Sequence, residues 1–163
     1  MSIAVDQQRL RRIVETLLPS GKLGRSEAST ILEFVQLAAG VDHADDPIKH
    51  SIVQSVAQMV SSLAGVRIGE VASIRPVDDE GMRELWLHRL CAQLSSRAER
   101  ELTYALVFLV TVADLQLTPV EQVALEEFQH ALGLADARVT DLVVFLTDVV
   151  AASDVPARYS DSR

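Results

Sequence analysis

The sequence is poor in cysteine, glycine and proline, and each shortage excludes a class of protein. Among its 163 residues there is one cysteine, Cys91, which excludes a disulfide framework and any zinc or redox site built on a CxxC pair. Seven glycines and five prolines exclude collagen-like and proline-rich chains. Apolar residues make up 48% of the chain, so we expect a folded domain with a core of its own.

Long apolar runs are also missing. The longest strongly apolar run without charge is 102–113, shorter than the roughly 20 residues that a membrane-spanning helix needs. Charged side chains from Asp6 onward interrupt the N-terminus, which therefore lacks the continuous apolar stretch of a signal peptide. We expect a cytoplasmic protein without direct membrane insertion.

Basic side chains are scarce in the second half of the chain. Residues 1–75 carry 8 basic and 8 acidic side chains, whereas residues 76–163 carry 7 and 15, which accounts for the net charge of −8. An acidic surface repels phosphate backbones, so nucleic acid is not an expected partner. Cations and basic protein surfaces are compatible with this charge.

No catalytic motif is present. The sequence contains no nucleophile elbow, P-loop, dinucleotide-binding glycine pattern or HExxH helix. Cys91 lies in an apolar stripe and is interpreted as a buried small hydrophobe. Trp86 is predicted to pack between helices, an exposed partner-binding aromatic being the alternative. We therefore expect a protein that is not an enzyme, with a small helical-bundle enzyme as an alternative.

Apolar residues recur at helical spacing in seven segments, which predicts an all-α fold. Asp46 followed by proline is a helix start, Ser96 and Thr118 each open a capping box, and Asp136 is predicted to cap the last helix. The segment 105–113 is apolar on every side, which predicts a central helix.

The expected domain organisation is simple. A single-domain bundle of about seven helices with an internal pseudo-repeat occupies 1–152, and a polar C-terminal tail occupies 153–163.

The internal repeat is a helix–turn–helix motif in three copies, 20–27, 42–49 and 114–121. The second and third copies are offset by 72 residues, which superposes Asp46-Pro47 on Thr118-Pro119. The first residue of each copy is placed to close a turn on nearby backbone amides. The eighth residue is predicted to lie at the third position of the next helix, where an acid can bond back to the cap.

The stretch 105–142 resembles the TerB family of tellurite-resistance proteins and the wider TerB-like helical domains. The resemblance rests on Ala113-Asp114, Leu117, Glu121 and Leu132-Gly133-Leu134. It implies an all-helical domain of two pseudo-repeats that acts as a scaffold or sensor in bacterial stress systems associated with the membrane. Three positions depart from the family pattern, with Leu115 in place of glycine, Ser20 in place of aspartate and Lys49 in place of glutamate.

Two roles compete for the acidic turns. The resemblance implies a divalent cation, and the crowding of acids with His43 and His50 would suit a metal ion. The alternative role, which we favour, is structural, because aspartates and glutamates at helix starts cap the helix. The candidate metal ligands are Asp114, Glu121, Asp42, Asp45 and Asp46. No cofactor is expected, a weakly bound divalent cation being the alternative.

The function that we expect is a non-catalytic TerB-like scaffold or interaction module in a bacterial stress-response or tellurite-resistance system. Its expected partners are other proteins, including membrane-associated stress proteins. A divalent-metal-binding sensor that uses the acidic inter-helix loops is the alternative of another class.

Overall fold

The computed structural model of the chain describes residues 5–41, 46–65, 67, 80–113 and 116–151. These residues form seven α-helices and no strand, which confirms the predicted all-α fold. The helices are α1 (Gln7–Leu17), α2 (Arg25–Ala39), α3 (Pro47–Ala64), α4 (Glu80–Cys91), α5 (Arg97–Thr111), α6 (Pro119–Ala131) and α7 (Asp136–Ala151). The predicted C-terminal tail, 153–163, lies outside the described residues.

The helix starts follow the predicted capping residues. The side chain of Asp46 accepts hydrogen bonds from the backbone amides of Ile48 and Lys49, and Pro47 is the first residue of α3. Ser96 and Thr118 each form a complete capping box, at the starts of α5 and α6. Hydrogen bonds between polar side chains and backbone amides two or three residues away therefore determine where these helices begin.

The start of α7 differs from the prediction. Asp136 is the first helical residue and not the cap before it. Its Oδ1 accepts a hydrogen bond of 2.6 Å from Nε2 of Gln129, which joins the start of α7 to the last turns of α6. An acid in the first turn still stabilises a helix, because it faces the positive end of the helix dipole.

The repeat extends over whole helices. A shift of 72 residues carries α2 onto 97–111, the range of α5, and carries the start of α3 onto the start of α6. The same shift carries α1 onto 79–89, which overlaps α4. Helices α1–α3 and α4–α6 are thus two equivalent three-helix units, and α7 is an addition to them.

Helix α5 lies at the centre of the bundle, as its sequence predicts. It packs against α1, α2, α3, α6 and α7. Its residues from Glu101 to Thr111 are buried except Phe108, which is half-buried. The aromatic pair Phe34 and Phe128, with ring centroids 6.1 Å apart, adds a contact between α2 and α6. Within the described ranges, no helix is long and apolar enough to cross a membrane.

Two leucines of α5 test its central position. Leu106→Ala and Leu109→Ala should each lower the free energy of unfolding by about 2–5 kcal/mol, because both side chains are fully buried and each truncation leaves a cavity. Urea denaturation measures the loss. The exposed Gln122→Ala on α6 is the control, expected to change stability by less than about 0.5 kcal/mol. A leucine variant that behaved like this control would show that α5 is not the centre.

Candidate functional site

Two of the five predicted metal ligands lie in the described part of the chain. Asp46 and Glu121 are at the starts of α3 and α6. Asp42, Asp45 and Asp114 lie outside the described residues, so their predicted cation role stays a prediction.

Glu121 performs the structural role that the sequence predicts for it. It is the third residue of α6, and its backbone amide donates to Oγ1 of Thr118 at 3.2 Å. Its Oε1 accepts a hydrogen bond of 3.2 Å from the backbone amide of Thr118. These reciprocal bonds satisfy two amides that a helix start leaves without intrahelical partners.

The second oxygen of the same carboxylate forms a buried ion pair. Oε2 of Glu121 accepts a hydrogen bond from Nζ of Lys49 at 2.7 Å. Only 2% of the Lys49 side chain and 1% of the Glu121 side chain are exposed. A charge buried this deeply must be paired, since an isolated ion in the interior costs several kcal/mol.

The ion pair joins two equivalent positions of the repeat. Lys49 is the third residue of α3 as Glu121 is the third residue of α6, and the two are 72 residues apart. A residue that contacts its own symmetry equivalent must lie on the symmetry axis. Equivalent helices also pack alike, α1 on α5 and α4 on α2, so the two three-helix units meet at Lys49 and Glu121 in a pseudo-twofold arrangement.

This geometry bears directly on cation binding at Glu121. Two acids at these positions would face each other across the axis and would repel unless one was protonated or a cation lay between them. Here the ammonium group of Lys49 supplies that positive charge, and the other oxygen of Glu121 is occupied by the cap. Across the described ranges, no three His, Cys, Asp or Glu side chains lie close enough together to hold a metal ion.

A second charged cluster connects α5 with α7. Arg138 donates to both oxygens of the Glu101 carboxylate, from Nε at 2.7 Å and from Nη2 at 2.8 Å. Nε of Arg97 donates to Oε2 of the same carboxylate at 3.1 Å. The hydrogen bonds from Arg138 lower the pKa of Glu101 below its usual value, against the opposing effect of burial, and Arg97 lowers it further. Glu101 in turn raises the pKa of Arg138.

The remaining candidates lie away from these clusters. Cys91 is buried, as predicted for a small hydrophobe. The prediction that Trp86 packs between helices is wrong, because 44% of the residue is exposed. It lies at the edge of the stripe that α4 buries through Leu87 and Leu90, and Leu85 lies opposite that stripe with 66% exposed.

Sequence reasoning missed the ion pair although part of the necessary signal was present. It treats Lys49 as a departure from an acidic pattern and does not pair it with any residue. The offset of 72 places opposite charges at equivalent positions, and equivalent positions near a pseudo-twofold axis come together. The clusters of Glu101 with Arg138 and of Arg83 with Glu127 have no such signal, since they depend on helix packing alone.

The buried ion pair predicts strong coupling between Lys49 and Glu121. Lys49→Met and Glu121→Gln should each destabilise the protein by about 3–5 kcal/mol, because each leaves one buried charge without its partner. The double variant should be more stable than the sum of the two losses predicts, since no charge is left unpaired. Chemical denaturation of all four proteins gives the coupling free energy.

The matched control for this cycle is Glu126→Gln, an exposed acid on the same helix. It should change the free energy of unfolding by less than about 0.5 kcal/mol, alone or combined with Lys49→Met. Additive effects of Lys49→Met and Glu121→Gln would contradict a direct ion pair.

The lowered pKa of Glu101 predicts a specific loss of stability in acid. A carboxylate with a lower pKa in the folded state stabilises the protein fully above its unfolded pKa and loses that contribution as the pH falls through the folded value. The stability difference between the wild type and Glu101→Gln should therefore be largest near neutral pH and shrink below about pH 4.5. Urea denaturation at a series of pH values measures it.

Comparison of the whole chain with protein-family models, with curated proteins and with solved structures finds no match in any of the three. The resemblance to TerB-like domains thus rests on the sequence motif alone.

Proposed function

We propose that the chain is a non-catalytic, TerB-like helical interaction module that acts in the cytoplasm of a bacterium, in a stress-response or tellurite-resistance system. Its partners are other proteins, among them membrane-associated stress proteins. The observation that carries the proposal is the exposed apolar pair on α4, Leu85 and Trp86.

Exposed side chains of this size support a role in protein binding. Tryptophan is enriched among the residues that contribute most to protein–protein affinity, because it buries a large apolar area. Leu85 lies on the outward side of α4 and Trp86 lies at the edge of the buried stripe, while Leu87 and Leu90 hold the helix to the bundle. The outward side can therefore contact a partner without disturbing the core.

The state of the buried ionisable groups supports a role other than catalysis. Lys49 is paired with Glu121, and Arg138 is paired with Glu101. Buried Arg83 is paired with Glu127 at 2.7 Å. Catalytic acids and bases need a site where a reacting group can approach them, whereas these carboxylates are already paired with lysine or arginine side chains of the protein.

Independence from divalent cations is part of this proposal. Addition of Ca²⁺, Mg²⁺, Mn²⁺ or Zn²⁺ to chelator-treated protein should leave the melting temperature unchanged, because Lys49 already neutralises Glu121. Ligands that bind only the native state raise the melting temperature with concentration, so thermal melting detects binding directly. Asp114→Asn should respond like the wild type. Saturable binding in calorimetry, lost in Asp114→Asn, would instead favour a cation sensor.

Site-specific photo-crosslinking tests the interaction module. A photo-reactive amino acid at position 85, in cells of the bacterium that carries the gene, should crosslink to a defined partner. The same amino acid at position 144, an exposed valine on α7, is the matched control and should not. With the partner purified, Leu85→Ser combined with Trp86→Ser should weaken binding at least about tenfold, while Val144→Ser should have no effect.

Tellurite tolerance provides the cellular measurement. A strain that lacks the gene should lose tolerance and regain it with the wild type or with Val144→Ser. The combined Leu85→Ser and Trp86→Ser variant should not restore it. Full restoration by that variant, with the folded protein present at normal levels, would contradict the proposal.

A further inference from the structure

A pocket of about 490 Å³ lies where the starts of α5 and α7 meet the turn after α6. Its charged lining residues are three arginines, Arg97, Arg100 and Arg138, and no acidic residue lines it. Residues 76–163 contain seven basic and 15 acidic side chains, so three arginines in one pocket are a local exception to the acidic charge of this half. The carboxylate of Glu101 offsets part of this positive charge. Asp141 also offsets part of it, because its negative charge acts on Arg138.

Each guanidinium group is held in place through its Nε. Nε of Arg100 donates to the carbonyl oxygen of Leu94 at 3.0 Å. Nε of Arg97 and Nε of Arg138 both donate to Glu101. Within the described part of the chain, both Nη groups of Arg97 and of Arg100, and Nη1 of Arg138, have no hydrogen-bond acceptor. Fixed guanidinium groups with N–H donors to spare are suited to planar or tetrahedral oxyanions.

The turn after α6 forms one wall of the pocket. Gly133 adopts φ +68°, a left-handed conformation that favours glycine. A Cβ atom at this position would be in ordinary van der Waals contact with Nη1 of Arg100, at 3.8 Å. The first turn of α7, which also lines the pocket, adds the positive end of a helix dipole, part of which the Asp136 carboxylate in the same turn offsets.

We propose that this pocket binds a phosphoryl group, as the dianion of a phosphate monoester. Three guanidinium groups offer several N–H donors to its oxygens, and two negative charges suit the excess of positive charge in the lining. The same phosphoryl chemistry can come from a small phosphorylated metabolite or from a phosphorylated serine of another protein. The proposal does not depend on the interaction surface of α4, which lies on a different helix.

NMR titration of the labelled full chain tests the pocket. The probes are inorganic phosphate, a short phosphoserine peptide and adenosine monophosphate, each compared with sodium chloride at the same ionic strength. Saturable shifts should occur in the backbone amides of Gly133 and Ala135 and in the Nε–H signals of Arg97, Arg100 and Arg138. A response that chloride reproduces in full would overturn the proposal.

Charge-matched variants separate the pocket from general electrostatics. Arg97→Gln should weaken phosphate binding about tenfold and leave folding intact, because 76% of its side chain is exposed. Arg89→Gln removes an exposed charge from α4, outside the pocket, and should weaken binding less than twofold. Arg100→Lys keeps the charge but loses the guanidinium fork, so it should also weaken binding. Equal effects of Arg97→Gln and Arg89→Gln would overturn the proposal.

The relative affinities of the probes identify the source of the phosphoryl group. Tighter binding of the phosphoserine peptide supports recognition of a phosphorylated protein, and tighter binding of adenosine monophosphate supports a metabolite. Equal affinity of all three probes supports recognition of the phosphoryl group alone. The absence of saturable binding by every probe would overturn the proposal, and would leave the interaction module proposed above untouched.

Discussion

The buried ion pair between Lys49 and Glu121 is the contact on which the arrangement of the two three-helix units depends. It joins the third residues of α3 and α6, and each helix start is also capped, by Asp46 and by Thr118. Removal of either charge leaves the other unpaired in the interior. The net contribution of the pair to stability is smaller than the cost of breaking it, because desolvation of two charges offsets much of their attraction.

The other interior charges follow the same principle. Glu101 and Arg138 connect α5 with α7, and Arg83 and Glu127 connect α4 with α6. These partners lie on different helices, far apart along the chain. Such pairs favour one arrangement of helices over others that would bury the same apolar area, since a wrong arrangement leaves charges unpaired. The apolar contacts around α5 supply the driving force that holds the helices together.

Local signals in the sequence predict the helices and their starts, because caps and apolar stripes act over a few residues. Ser96 and Thr118 form the predicted capping boxes, and Gly65 ends α3 in the predicted place with φ +65°. The exposure of Trp86 could not be predicted in this way. A position at the edge of an apolar stripe is buried or exposed according to which helices pack beside it, and that is a property of the whole bundle.

The candidate site was predictable only in part, for a related reason. The role of Glu121 in the cap is local and follows from its distance to Thr118, whereas its second contact requires knowledge of the axis between the units. The burial of Lys49 also runs against the usual preference of lysine for the surface. Asp42, Asp45 and Asp114 lie outside the described residues, so the cation role of these acids stays a prediction.

Opposite charges at the axis also restrict how copies of this chain can associate. If α1–α3 of one molecule replaced α4–α6 of another, two copies of Lys49 would meet in the interior. Exchange of the other unit would bring two copies of Glu121 together. Like charges in such a position repel strongly and have no water to screen them. The difference at one position thus makes the two units complementary to each other and incompatible with themselves, which disfavours the pairing of like units from two molecules.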